Sequence, residues 1–83
     1  MKIKPLRPDL IEYLTTHDLE KKWNKVLTLF ENNTRHPSLH TELLEPKWRG
    51  IYSFRLDRKY RALFFVDKDS QAEVFQITKH YRK

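Results

Sequence analysis

Residues 51–67 read IYSFRLDRKYRALFFVD, and their pattern of apolar and polar residues is the strongest indication of the fold. Its first half alternates, with one side of the chain taking Tyr52, Phe54 and Leu56 and the other taking Ser53 and Arg55. Such alternation predicts a β-strand with one buried face. From Tyr60 onward the stretch is apolar on nearly both sides, which indicates a central strand of a sheet. The short polar segment between the halves, residues 57–59, predicts a hairpin connection.

The sequence predicts one more strand after this hairpin and a helix before it. Residues 72–80, AEVFQITKH, predict a third strand whose apolar positions are Val74, Phe75 and Ile77, joined through a polar turn at 67–71. Residues 17–33 carry apolar side chains at helical spacing, namely Leu19, Trp23, Val26, Leu27 and Phe30. Because Trp23 lies in the middle of this stripe, we interpret it as a core residue rather than a platform for stacking a base.

The N-terminal region completes a single domain. Residues 7–16 predict a shorter helix with Pro8 in its first turn, and its apolar edge consists of Leu10, Ile11 and Leu14. Residues 1–6 predict a short edge strand with Ile3 turned inward. Residues 34–50 read as irregular, and we interpret Gly50 as the mark of a turn or of a positive φ angle. The predicted order is β-α-α-β-β-β, in one α+β domain over residues 1–83 whose helical pair packs on a small, mainly antiparallel sheet.

Composition restricts the class of protein. The chain has 83 residues and no cysteine, which excludes disulfides and thiolate metal sites. No apolar run reaches the length of a membrane span, and the N-terminus lacks the apolar stretch of a signal peptide. We therefore expect a cytoplasmic protein with no membrane partner.

The charge balance indicates the kind of partner. There are 17 Lys and Arg against 11 Asp and Glu, a net charge of +6. A positive balance of this size in a small domain favours nucleic acid or an acidic protein as partner. The alternative is a basic protein whose charge serves only solubility.

One face of the predicted sheet collects groups that can bind phosphate and move protons. Arg55 and Arg61 fall on the side opposite the apolar face, while His80 and Tyr81 end the third strand. Two guanidinium groups can hold a phosphate through paired donors, and a histidine titrates near neutrality. Such a set suffices for RNA cleavage without a metal or another cofactor. The alternative is a solvated charged face, and the residues alone leave both interpretations open.

Two further patterns are weaker. His36 and His40 have a spacing that can bind zinc on a helix, but Pro37 lies between them and no third ligand is evident. Asp67 and Asp69 lack the rest of a calcium-binding loop, so we interpret them as part of a polar turn. Neither pattern predicts a bound metal.

The second half of the chain resembles the RelE/ParE superfamily of bacterial toxin–antitoxin toxins. The resemblance rests on the loop HPSLH (36–40), the strand pair YSFRL (52–56) and YRALF (60–64), and the ending ITKHY (77–81). It implies a compact toxin neutralised by a cognate antitoxin. Members of the RelE branch cut mRNA on the ribosome, whereas ParE members poison DNA gyrase. The His-Tyr ending is similar to that of the YoeB-like branch and favours mRNA cleavage.

The resemblance also implies roles for particular residues. Arg55 matches a basic residue of the second family strand, Arg61 matches the arginine of its YR motif, and His80 and Tyr81 match residues that take part in cleavage. The YoeB-like branch uses a glutamate as general base. This sequence has two candidates for it, Glu42 and Glu45, and we expect Glu42 to be the catalytic one. Ser53 stands where RelE has a lysine.

Around these groups the chain offers further basic residues for holding RNA. The RNA-binding candidates are Arg49, Arg58, Lys59, Lys79 and Arg82. The expected partners are the antitoxin, mRNA and the ribosome. The antitoxin is expected to contact the loop at 35–44, the exposed edge of the helical pair and the basic sheet face. A gyrase poison and a non-toxic basic module remain as alternatives.

Overall fold

The computed structural model describes residues 1–79, and it contains two helices and a four-stranded sheet. The helices are α1 (Pro8–Thr16) and α2 (Glu20–Asn32), and the strands are β1 (Glu42–Leu43), β2 (Tyr52–Arg55), β3 (Tyr60–Val66) and β4 (Ala72–Lys79). The strands lie in the order β1-β2-β3-β4, and every neighbouring pair is antiparallel. The predicted helical pair on an antiparallel sheet is confirmed. No helix within the described residues is long and apolar enough to span a membrane.

The sheet differs from the prediction at its beginning. Residues 1–6 do not form a full strand, because pairing is limited to one parallel bridge between Ile3 and Ala72. The bridge consists of two hydrogen bonds, from the Lys4 N–H to the Ala72 carbonyl at 2.9 Å and from the Ala72 N–H to the Lys2 carbonyl at 2.8 Å. Ile3 is half-buried against the core, as expected, and its N–H donates to Glu31 Oε2 at 2.9 Å. The two-residue strand β1 lies in the region that we interpreted as irregular, since two residues are too short to show alternation.

The helices bury the expected stripe with one exception. Trp23, Val26 and Phe30 of α2 are buried, and α1 buries Leu10 and Leu14. Ile11 is 52% exposed, so its predicted place on the apolar edge is wrong. Leu10 and Leu14 are four residues apart and share a face, whereas Ile11 is turned from Leu10 by about 100°.

An aromatic cluster forms the centre of the core. Phe54 is fully buried, and its ring centroid lies 5.0 Å from that of Phe30, 5.8 Å from that of Phe64 and 6.1 Å from that of Trp23. Phe54 and Phe64 come from neighbouring strands, while Phe30 and Trp23 come from α2. The prediction that Trp23 is a core residue is therefore confirmed, and α2 and the sheet bury each other's apolar faces.

A register shift between Leu63 and Phe64 of β3 affects where the side chain of Phe75, in the facing strand β4, is placed. Val74 and Ile77 are both buried in the main core although they are three residues apart, which strict alternation forbids. Phe75 is only partly buried and packs against Phe65 outside the main core, with ring centroids 6.0 Å apart. The Phe75 carbonyl accepts a hydrogen bond of 3.0 Å from Arg7. Of the three apolar residues of this strand, Phe75 therefore lies apart from Val74 and Ile77.

Asp67 organises the turn between β3 and β4 and ties the N-terminal segment to it. Its Oδ1 accepts hydrogen bonds from the N–H groups of Asp69 (2.8 Å) and Gln71 (3.0 Å). Its Oδ2 lies 2.6 Å from Lys4 Nζ. The hydrogen bond from Lys4, followed by that from the Gln71 N–H, lowers the pKa of Asp67 below its ordinary value of 3.8. The interpretation of Asp67 and Asp69 as a polar turn agrees with this geometry.

The lowered pKa of Asp67 predicts a specific loss of stability in acid. Because the folded-state pKa lies below 3.8, the carboxylate stabilises the fold fully above that pH and loses its contribution as pH falls through the folded-state value. In urea unfolding followed by circular dichroism, Asp67→Asn should unfold more easily than the wild type at pH 7. It should also lose less stability between pH 7 and pH 3. Asp69→Asn, at an exposed site in the same turn, is the control; an unchanged pH dependence in Asp67→Asn would contradict the prediction.

Candidate functional site

The two arginines singled out in the sequence are direct neighbours across β2 and β3. Arg55 pairs with Arg61 in the register of these strands, so both side chains leave the same side of the sheet. This side, which also includes Ser53, is opposite the face of Phe54 and Ala62, and we call it the open face. Like charges directly opposite each other destabilise a strand pair unless an anion or a carboxylate compensates them. The arrangement is therefore suited to holding an anionic group.

Arg61 is held in place by two neighbours. Its Nη1 donates to Ser53 Oγ at 3.2 Å and lies 3.8 Å from Glu42 Oε1. Ser53 is fully buried, and the Arg61 side chain is 19% exposed. Glu42 reaches Arg61 because β1 pairs Glu42 with Ser53. The short strand that the sequence did not reveal thus brings a carboxylate next to the predicted phosphate-binding arginine.

Arg55 also borders a groove at the end of β2, which we call the basic groove because three cations line it. The groove has a volume of about 220 Å³, and its lining residues are Lys25, Val26 and Leu29 of α2, Arg55 of β2, the following residues Leu56, Asp57 and Arg58, and Ser38. Lys25 was not among the predicted binding residues. Its place on the solvated side of α2 was visible in the sequence, but only the packing of α2 on the sheet shows that it joins the arginines.

The hairpin between β2 and β3 is anchored by Asp57. Its Oδ1 accepts from the N–H groups of Lys59 (2.7 Å) and Tyr60 (2.8 Å), and its Oδ2 accepts from Lys22 Nζ at 2.7 Å. Partial burial acts to raise the pKa of Asp57, but the hydrogen bonds from Lys22 and the two backbone N–H groups outweigh it and lower the pKa. The hairpin that carries Arg58 and Lys59 is thereby tied to α2.

The other predicted residues are spread along the sheet. Arg58 and Lys59 are exposed in the turn after β2, whereas Arg49 is exposed in the short 3₁₀ turn Lys47–Arg49 before β2. Lys79 is exposed at the end of β4 and pairs with Tyr60, next to Arg61. The predicted RNA-binding residues therefore lie at both ends of β2. His80, Tyr81 and Arg82 lie outside the described residues.

The two glutamates that are candidates for the general base, Glu42 and Glu45, occupy different positions relative to Arg61. Glu42 lies on the open face beside Arg61, and its side chain is 33% exposed. Glu45 is exposed and precedes the 3₁₀ turn, beyond the end of β1. Of the two glutamates, Glu42 is therefore the one that lies beside Arg61.

No metal centre is evident in residues 1–79. That part of the chain has no group of three or more His, Cys, Asp or Glu side chains placed to hold a metal ion. His36 instead accepts a hydrogen bond at Nδ1 from the Ser38 N–H, at 3.1 Å, which stabilises the short turn Pro37–Leu39.

Comparison with known proteins finds the same fold in bacterial toxins. No protein-family model matches the chain. No curated protein matches it. Among solved structures, a YoeB/ParE toxin from Agrobacterium tumefaciens is similar with a TM-score of 0.71 and 22% identity, covering 98% of this chain and 100% of that one.

Two structures from Staphylococcus aureus are similarly close. A YoeB dimer has a TM-score of 0.69 at 24% identity, covering 96% of this chain and 94% of that one. A YoeB–YefM complex has a TM-score of 0.68 at 23% identity, covering 98% of this chain and 100% of that one. The chain thus shares its fold with these YoeB and YoeB/ParE toxins over 96–98% of its length, and the predicted fold is confirmed.

Proposed function

We propose that the chain is the toxin of a toxin–antitoxin pair and that it cleaves mRNA, in association with the ribosome. The observation that carries the proposal is the group on the open face, where Arg61 lies 3.8 Å from Glu42 and directly opposite Arg55. Two guanidinium groups and one carboxylate on a half-open surface match the needs of phosphodiester cleavage better than those of a merely solvated face. The fold shared with YoeB/ParE toxins supports it.

The reaction assigned to this group uses the ribose itself as nucleophile. Glu42 takes the proton of the 2′-hydroxyl, whose oxygen attacks the adjacent phosphorus and forms a 2′,3′-cyclic phosphate. Arg55 and Arg61 neutralise the charge that develops on the phosphoryl oxygens. The bond to the 5′-oxygen breaks, and that oxygen receives a proton from a general acid. We assign this last role to His80 and expect Tyr81, the next residue in the sequence, to take part in cleavage; both lie outside the described residues.

The proposed base can be separated from its alternative by two isosteric substitutions. Glu42→Gln keeps the shape beside Arg61 but cannot accept the proton, so cleavage should slow by about 100-fold or more. Glu45→Gln, three residues along the same segment, should leave the rate within about threefold of the wild type. Single-turnover cleavage of a labelled mRNA bound to ribosomes measures both. The opposite ranking would move the role of base to Glu45.

An antitoxin is the proposed protein partner. One of the similar structures is a complex of YoeB with YefM, and the net charge of +6 favours an acidic segment. Two recesses lie where contact is expected. One of about 400 Å³ is lined by Arg35, Thr41 and the stacked rings of Tyr52 and Phe64, and one of about 290 Å³ lies beside exposed Ile11 on the helical pair.

A gyrase poison is the second candidate function, because the name of one similar structure covers both YoeB and ParE. Controlled expression in bacteria, with mapping of mRNA 5′ ends and an assay of gyrase supercoiling, separates the two. We expect growth arrest with new 5′ ends and normal supercoiling, relieved by co-expression of the adjacent gene. Lost supercoiling with intact transcripts would establish the gyrase function instead. No growth effect would indicate a non-toxic basic module.

A further inference from the structure

Trp48 is held almost entirely in water. Its side chain is 85% exposed, whereas the other tryptophan, Trp23, is 7% exposed in the core. Leaving an indole in water forgoes one of the largest gains available from burial, so a ligand whose flat apolar face covers the indole gains affinity from that burial. Sequence analysis did not single it out, because its segment shows no periodicity from which exposure could be predicted.

The loop that carries Trp48 has a defined conformation. It connects β1 to β2, and residues Lys47–Arg49 form a 3₁₀ turn. The Arg49 N–H donates to the Pro46 carbonyl and the Gly50 N–H to the Lys47 carbonyl, each at 3.1 Å. Gly50 ends the turn with a φ of +66°, which glycine adopts without strain. Because the backbone is already ordered, a ligand that stacks on the indole pays little entropy for ordering the loop.

The base of the loop is fixed to the proposed active site. Leu44 is buried, and its N–H donates to the Ile51 carbonyl at 2.8 Å, directly beyond the pair of Leu43 with Tyr52. Arg61 pairs with Arg55, which lies four residues along β2 from Ile51 at the base of the loop, or about 13 Å along an extended chain. An RNA strand that has one phosphate at Arg61 and runs along β2 toward Tyr52 therefore approaches the loop a few nucleotides away.

The charges around Trp48 favour a nucleic acid over a protein surface. Lys47 and Arg49 flank it, and both are exposed. Within residues 1–79 the other large exposed apolar side chains are Met1, Ile11 and Val66, none of which belongs to this loop. A protein interface normally has a contiguous apolar centre that is poor in charge, whereas an aromatic ring between cations is the arrangement on which unpaired bases stack.

We propose that Trp48 stacks on an unpaired base of single-stranded RNA a few nucleotides from the cleavage position, while Lys47 and Arg49 bind the adjoining phosphates. This inference rests on the proposed function and narrows its substrate to RNA that is single-stranded at that point. Every base presents a flat face, so this contact contributes affinity with little sequence preference.

The test measures binding separately from cleavage. A single-stranded 2′-O-methyl RNA, which lacks the nucleophilic hydroxyl, is titrated into the protein while tryptophan fluorescence and the anisotropy of a labelled RNA are recorded. In the wild type, RNA should quench the emission of exposed Trp48. Trp48→Ala should bind roughly tenfold to a hundredfold more weakly, the loss expected for one base stack. Trp48→Phe, which keeps a ring, should bind within about threefold of the wild type and show no quenching.

A further variant separates the stack from the charges. Lys47→Ala combined with Arg49→Ala should reduce the salt dependence of binding, which Trp48→Ala should leave unchanged. Equal RNA affinity of Trp48→Ala and wild type, or no RNA binding by the wild type, would overturn the inference. A Trp48→Ala variant that binds RNA normally but fails to co-purify with the protein encoded by the adjacent gene would also overturn the inference. RNA binding that depends on Trp48 without any cleavage would instead reject only the proposed cleavage.

Discussion

Replacing Arg61 with alanine is expected to abolish growth arrest and to slow RNA cleavage by about 100- to 1000-fold, the usual cost of losing one donor aimed at a developing charge. We expect this large effect because Arg61 lies between Ser53 and Glu42 and directly opposite Arg55. Its loss removes both a phosphate ligand and the cation beside the proposed base. Growth of an induced culture and single-turnover cleavage in vitro measure the two effects.

Two controls separate this role from folding and from general charge. Arg61→Ala leaves the hydroxyl of buried Ser53 without its donor, which costs on the order of 1 kcal/mol, so the variant should still fold by circular dichroism. Lys68→Ala removes a positive charge from the exposed turn after β3 and should remain fully toxic. Arg61→Lys keeps the charge without the planar fork and should be intermediate. An Arg61→Ala variant that is folded and fully toxic would remove Arg61 from the site.

The largest effect on stability is expected from Phe54→Ala. Phe54 is fully buried, and three aromatic rings surround it within about 6 Å, the most distant being Trp23 at 6.1 Å. Removing the ring should lower the free energy of unfolding by about 3–5 kcal/mol, through lost burial and the cavity that remains. In a domain of this size that corresponds to a fall in Tm of more than about 10 °C.

Phe75→Ala provides a matched control for this substitution. It deletes the same ring, but Phe75 is partly buried against Phe65 outside the main core, so its loss should cost only about 1–2 kcal/mol. Urea unfolding, followed by circular dichroism and by the fluorescence of Trp23, measures both variants. If Phe75→Ala proves as damaging as Phe54→Ala, the aromatic cluster around Phe54 is not the centre of the core.

Local periodicity was enough to determine most of the fold. The alternation in residues 51–57 correctly placed Phe54 in the core and Arg55 on the other side, because each strand residue turns its side chain opposite to the last. The apolar stripe of α2 likewise identified Trp23 as a core residue, since spacing of three and four residues marks one helix face. The residue type of Gly50 indicates a turn or a positive φ angle, and Gly50 ends the 3₁₀ turn with a φ of +66°.

The candidate site could be predicted only in part, because its members meet through contacts between distant segments. The sequence determined that Arg55 and Arg61 share a sheet face, since both follow from the pattern of one hairpin. It did not reveal that Glu42 lies beside Arg61, that Lys25 joins the basic groove, or that Trp48 is left in water. Strand β1 is two residues long and is stabilised by pairing with β2, so it cannot be predicted from a local sequence pattern. The bulge opposite Leu63 and Phe64, which removes Phe75 from the main core, likewise depends on the fit of β4 to its neighbours, and only the tertiary structure decides it.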